Sequence, residues 1–155
     1  MFWEHIHHAD AFRRVGRRES LPAGREIDTL ANVALVERGI CALATMTPEG
    51  NERIYLYFKS GNLVGFLRHV LHRDNYPRAH FYRTRNRVVA KTRVELTLID
   101  KDIFLDLVRR DAGCQRDFTI SLAQNLANLM EHSALVSCES APIRICAMLL
   151  EFCEP

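Results

Sequence analysis

Val36-Glu37-Arg38-Gly39, Thr47-Pro48-Glu49-Gly50-Asn51, Lys59-Ser60-Gly61-Asn62-Leu63-Val64-Gly65 and Ala90-Lys91-Thr92-Arg93-Val94-Glu95-Leu96-Thr97-Leu98-Ile99 follow one another in a single stretch of the chain. Turn residues recur at short intervals between β-branched and aromatic runs, as antiparallel strands that fold back on one another require. From Asp100 onward the pattern becomes helical and stays so. The two halves predict an α+β chain, an antiparallel β-roll followed by helices.

Upstream of this stretch, Met1 to Arg18 reads as a short amphipathic helix, with Phe2, Ile6, Ala9 and Phe12 at helical spacing. Arg13, Arg14, Arg17 and Arg18 fall at its C-terminal end, where the helix dipole favours cations. Ser20-Leu21-Pro22-Ala23-Gly24 reads as a turn. Short strands are expected over Arg25–Ala31, Asn32–Arg38 and Ile40–Met46, with Pro48–Asn51 as the hairpin into Arg53–Phe58. Phe66 to Arg87 lacks clean periodicity, and Pro77 forbids a continuous helix or central strand there. Val88 to Ile99 reads as one strand with Val94, Leu96 and Leu98 on one face.

Downstream, Asp100-Lys101-Asp102 opens a short helix over Ile103–Arg110. A longer helix is expected from Gln115 to Val136. Leu122, Leu126, Leu129, Ser133 and Val136 fall at spacings of four and three, an a/d seam suited to pairing with another helix. Packing of the same helix on the chain's own sheet is compatible with this if other faces are used. Ser140-Ala141-Pro142 starts a last helix whose apolar face is Ile143, Cys146, Ala147 and Leu150.

The chain has 155 residues, 48% hydrophobic and 26% charged, which predicts one globular domain with at most an appended element. Its net charge of +2 is uneven. Seven arginines and Lys91 against Asp74 alone give the span Arg68–Arg93 a strong positive excess, which suits an anionic partner or a solvated basic loop. Five cysteines with no C-x-x-C argue against a disulfide framework or zinc ribbon. Lacking a secretory start and a membrane-length apolar run, the chain is expected to be cytoplasmic with no membrane partner.

The order of these segments resembles the sensory half of the Crp/Fnr family of bacterial transcription regulators. Leu21-Pro22-Ala23-Gly24 with Ile27 looks like the family's opening strand, and Val36-Glu37-Arg38-Gly39 like the strand and glycine turn that follow. Gly61-Asn62-Leu63-Val64-Gly65 is similar to the G-[DE]-x-[IVF]-G signature. Ala90 to Ile99 resembles the last strand of the roll, and Phe104-Leu105-Asp106-Leu107 the small helix after it. Arg144-Ile145-Cys146-Ala147-Met148-Leu149-Leu150 looks like the helix that opens the winged-helix DNA-binding domain. The resemblance implies a cyclic-nucleotide-binding-like β-roll (a double-stranded β-helix or jelly roll) over 1–113, a dimerisation helix over 114–138 and the first helix of a missing or truncated DNA-binding domain over 139–155.

Two departures qualify what the resemblance implies. Members that bind cyclic AMP place a glutamate after the second signature glycine, whereas here the residue is Phe66, which accepts no hydrogen bond. They also place an Arg-Ser or Arg-Thr pair on the cyclic phosphate; the expected arginine position holds Thr84, flanked by Arg83 and Arg85. A small anionic effector other than cyclic AMP is therefore expected, with Gly65, Phe66, Arg78, Arg83, Thr84 and Arg85 as candidate contacts. Leu122, Leu126, Leu129 and Val136 are the candidate homodimer interface. Nothing after Leu150 supplies a recognition helix, so DNA is expected to be reached only through a further C-terminal domain. The chain is expected to be an excised sensor domain or a protein that lost that half.

Other chemistry is less supported. His5, His7 and His8, or His69 and His72, raise a metal or haem site, but without a carboxylate at fixed spacing. Cys146 and Cys153 suit a helix core or a redox sensor. No resident metal or cofactor is expected, and the absence of a nucleophile elbow, Walker loop or catalytic carboxylate pair argues against an enzyme. The rival to effector sensing is a ligand-free dimerisation or protein-interaction module with a degenerate pocket.

Overall fold

The computed structural model describes residues 10–47, 49–71, 86–138 and 140–153. Eight strands form two antiparallel four-stranded sheets, in the orders β1-β8-β3-β6 and β2-β7-β4-β5. In the first lie β1 (Arg17–Leu21), β3 (Asn32–Arg38), β6 (Leu63–Val64) and β8 (Val94–Asp100). In the second lie β2 (Glu26–Ile27), β4 (Cys41–Met46), β5 (Glu52–Phe58) and β7 (Asn86–Ala90). The expected β-roll is the architecture observed.

Side-chain alternation splits the first sheet into two buried faces. Ala34, Val36, Val64, Val94, Leu96 and Leu98 point between the sheets, where they meet Ile27, Cys41, Leu56, Phe58, Val88 and Ala90. Val33, Leu35, Leu63 and Ile99 point the other way, into a second cluster with Phe12, Phe66, Phe104 and Cys114. This is why β3 reads as an unbroken apolar run: a strand covered on both faces has no side to give to water.

Helices cover that outer face. They are α1 (Asp10–Val15), α3 (Lys101–Arg110) and the first part of α4 (Ala112–Cys138); α2 (Leu67–Val70) follows the glycine turn and α5 (Ala141–Cys153) follows α4. Asp100 caps α3, its carboxylate accepting from the N–H groups of Asp102 and Ile103. Asp111 does the same for α4, accepting from Cys114 N at 2.7 Å, so the helix starts at Ala112 rather than Gln115.

Four expectations change. Arg17 and Arg18 do not extend the first helix; Gly16 closes it, its N–H donating to Phe12 O, and both arginines join β1, paired with Leu98 and Thr97 of β8. Ser20 and Leu21, expected in a turn, complete that strand. The Arg25–Ala31 strand shrinks to Glu26–Ile27 because Asp28 Oδ1 accepts from the N–H of Leu30 and of Ala31, bending the chain into a side-chain-capped turn. Val88–Ile99 is two strands, since the chain must cross between sheets. Lys91-Thr92-Arg93 makes the crossing, with Lys91 N and Thr92 N donating to Ile40 O. Gly39 faces this corner at φ +88°, and a Cβ there would lie 2.3 Å from Arg93 O. The expected helix over Met1–Ala9 and the Pro48 turn position lie outside the described residues.

Candidate functional site: the glycine turn and the long helix

The segment Lys59–Phe66 connects the two sheets to α4. Asn62 is buried and its Oδ1 accepts from Lys59 N at 2.8 Å, closing the first half of the turn. Val36 N donates to Asn62 O, and Gly61 N donates to Val36 O, which seats the turn on β3. Gly65 closes the second half at φ +85°, where a Cβ would come within 2.7 Å of Thr29 Cγ2. Only glycine combines that dihedral with that approach.

Phe66, next in the chain, is buried in the helix-side cluster and meets Phe118 of α4 edge-on at a ring separation of 5.0 Å. Phe118 in turn stands edge-on to Phe104 of α3, which stacks on Phe12 of α1. Four rings thus tie the glycine turn, the long helix, α3 and α1 into one wall. A second tie is polar. Leu63 N donates to Ser121 Oγ at 3.1 Å, and Asn125 Nδ2 donates to Leu63 O at 3.2 Å. The sequence reading does not pick out Ser121 and Asn125; they are two of many polar residues in this helix, and only their spacing of four sets them on one face.

The flank of α4 beside these contacts is uncovered. Leu122, Leu126, Leu129 and Val136 are 43%, 57%, 43% and 50% exposed. Beside them a hollow of about 490 Å³ is lined by Leu129, Met130, Ser133, Ala134 and Ser137. On α5, Ile143, Ile145, Leu149 and Leu150 are also exposed.

A second hollow, of about 460 Å³, opens where the turn after β2 meets α2 and the start of β7, with Glu26, Asp28, Thr29, Leu30, Arg68 and Asn86 around it. His69 Nε2 lies 3.0 Å from the carbonyl oxygen of Thr29, one of these residues. Burial lowers the His69 pKa, opposed by its hydrogen bond to Thr29 and helped by Lys101 and Arg68. Of the candidate effector contacts, Gly65 and Phe66 sit at the turn as described; Arg78, Arg83, Thr84 and Arg85 lie outside the described residues, as do His5, His7, His8 and His72. Among the described residues, no three His, Cys, Asp or Glu side chains gather to hold a metal ion. Burial pushes the Cys41 thiol up to about 12, and burial with the neighbouring Asp111 carboxylate pushes Cys114 up to about 11. Both pack as apolar groups. Among the described residues no helix is long and apolar enough to cross a membrane.

No family model matches the chain, and no curated protein matches it by sequence. Solved structures do. The c-di-GMP-responsive global regulator CLP of Xanthomonas campestris superposes with a TM-score of 0.71 at 18% identity, covering 96% of this chain and 72% of that one. FixK2 of Bradyrhizobium japonicum gives 0.69 at 18% identity, covering 88% of this chain and 65% of its own. A transcriptional regulator of the Crp/Fnr family from Thermus thermophilus gives 0.63 at 20% identity, covering 87% and 64%. The chain thus spans less than two thirds of the last two. The chain folds as the cyclic-nucleotide-binding-like sensor domain of Crp/Fnr-type transcription regulators.

Proposed function

We propose that the chain is the effector-sensing and dimerisation domain of a Crp/Fnr-type transcription regulator, a binding protein rather than an enzyme, acting in the cytoplasm. Residues 1–113 form the sensor, 114–138 the dimerisation helix and 139–155 the start of a DNA-binding domain. The effector is a small anion other than cyclic AMP. It binds near Gly65 and Phe66, with Arg78, Arg83, Thr84 and Arg85 as its charged and hydroxyl partners.

The observation that carries this reading is the two-sided helix. One face of α4 is held to the glycine turn through Phe118, Ser121 and Asn125. The adjoining flank presents Leu122, Leu126, Leu129 and Val136 to solvent, an apolar row that a second copy would cover. An effector with different affinities for two placements of α4 would shift the balance between them. The basic span Arg68–Arg93 favours an anion, and CLP, which responds to c-di-GMP, is a regulator of the same fold with an anionic effector.

A second reading, a ligand-free dimerisation module, is favoured by one feature. Phe66 stands where the nucleotide-binding members carry a glutamate, and its ring is spent on Phe118. A thermal-shift screen against cyclic mono- and dinucleotides, other phosphates, organic acids and haem separates the two, because a ligand that binds only the folded state raises the melting temperature. A saturable hit lost in Arg83→Ala supports the sensor; silence across the panel supports the module.

A further inference from the structure

We propose that Ser121 and Asn125 are positioning residues that make the glycine turn and α4 move as one body, with the Leu63 peptide as the joint. Among the described residues β6 is an edge strand of its sheet. A residue in an antiparallel ladder turns its N–H and C=O to the same side. The bonds to β3 here use Asn62 O and Gly61 N, so the Leu63 groups point outward, off the open edge. An edge left like that offers its amides to water or to another strand. Instead α4 covers it, Ser121 Oγ taking the N–H and Asn125 Nδ2 donating to the C=O. Side chains four apart on a helix share a face, so one helix turn replaces a neighbouring strand residue.

Phe118 lies on the same face, three residues before Ser121, and holds Phe66 at the far side of the turn. The turn is therefore gripped at both ends by one helix face. Gly65, wedged against Thr29, leaves its backbone little room to adjust between the grips. The exposed row adjoins this face, Leu122 lying one helix turn beyond Phe118 and Leu129 one turn beyond Asn125. Anything that shifts the turn must carry the grip with it, and the grip carries the row. What shifts the turn, an effector, rests on the proposed function; the joint itself rests on the geometry above.

The test is amide hydrogen exchange, read by fragment on the full chain, in four forms: unaltered, Gly65→Ala, Ser121→Ala with Asn125→Ala, and all three substitutions together. Gly65→Ala must push Thr29 aside and so disturbs the turn directly. In the chain with its clamp, it is expected to speed exchange about tenfold both at 61–71 and along 122–136. Without Ser121 and Asn125 the same substitution is expected to act at 61–71 alone. An equal response along 122–136 in both backgrounds overturns the proposal. If Gly65→Ala abolishes the fold, Thr29→Gly, which removes the methyl packed on Gly65, takes its place with the same expectations. Light scattering on the same samples separates this from the dimer reading. A monomer that still shows the clamp-dependent response upholds the joint and overturns the dimer.

Discussion

Arg13 of α1 grips Glu37 of β3 with a forked pair of donors, Nε at 3.0 Å from Oε1 and Nη2 at 3.0 Å from Oε2. Thr97 Oγ1 of the neighbouring strand donates to the same carboxylate at 2.7 Å. Glu37 follows the apolar run of β3, and Arg13 is one of four arginines near the start of the chain. Their meeting fixes how α1 lies on the sheet.

Burial opposes ionisation of Glu37, but the hydrogen bonds from Arg13 and Thr97 outweigh it and hold the carboxyl below its ordinary 4.5. A carboxyl lowered in the folded state contributes stability above its unfolded pKa and loses it as pH falls through the folded value. Glu37→Gln should cost about 1–2 kcal/mol at neutral pH in urea unfolding, since the pair is partly exposed. As pH falls below 4.5 and through the lower folded value, the variant and the unaltered chain should converge. A gap that persists at low pH would show that packing, not charge, is lost.

Leu126→Asp should leave the roll folded, because Leu126 is more than half exposed and belongs to neither core cluster. If the proposed dimer forms through this row, the variant should be a monomer by light scattering. A variant that remains dimeric would remove the exposed row on α4 as the interface.

Two glycines with nearly the same φ should respond differently to alanine. Gly24 at +84° has nothing within 4 Å of an added Cβ, so Gly24→Ala should cost only the left-handed backbone, about 1–2 kcal/mol. Gly39 at +88° would also drive a methyl into the Arg93 carbonyl, so Gly39→Ala should cost more than about 3 kcal/mol or unfold the corner. Equal costs, read from chemical melts, would mean that the Lys91–Arg93 crossing yields freely.

Phe66→Glu introduces the residue type that nucleotide-binding Crp/Fnr regulators carry. Here it would put a carboxylate among Phe118 and its neighbours, and the expected cost is roughly 3–5 kcal/mol. Thermal melts with and without cyclic AMP should show a less stable protein and no gain of binding. A stable variant that is further stabilised by the nucleotide would mean that the side chain can turn into the roll.

Thiol alkylation should map the fold. At pH 8 Cys146, exposed on α5, should react readily, whereas Cys41 and Cys114 should be protected until denaturant is added. Their raised pKa values leave almost no thiolate, and burial denies access. Early labelling of Cys41, found by peptide mapping, would reveal an opening of the roll.

Much of the architecture was legible in residue order. The β3 and β4 strands follow from their apolar runs, the hairpin to β5 from the glycine between them, and α3 from the acidic residues that cap it. The break at Lys91–Arg93 was missed because strand alternation continues on both sides of it. Nothing local says that β7 belongs to one sheet and β8 to the other. Of the candidate site, Gly65 and Phe66 could be placed at the turn from the signature alone. The side on which Phe66 packs depends on Phe118, which a linear reading does not bring near.

The sequence by itself determined the elements: glycine turns, alternating strands and a long helix with a regular apolar row. These are local properties, set by dihedral preference and side-chain period. Only the tertiary structure decided which face of α4 meets the roll. α4 has apolar residues on more than one side, so its spacing fits either choice. Phe118, Ser121 and Asn125 are committed to the glycine turn, and Leu122, Leu126 and Leu129 on the flank beside them are left in solvent. That commitment is made by one peptide, Leu63, whose N–H and C=O face off the edge of the sheet, and an edge is visible only once the sheet exists.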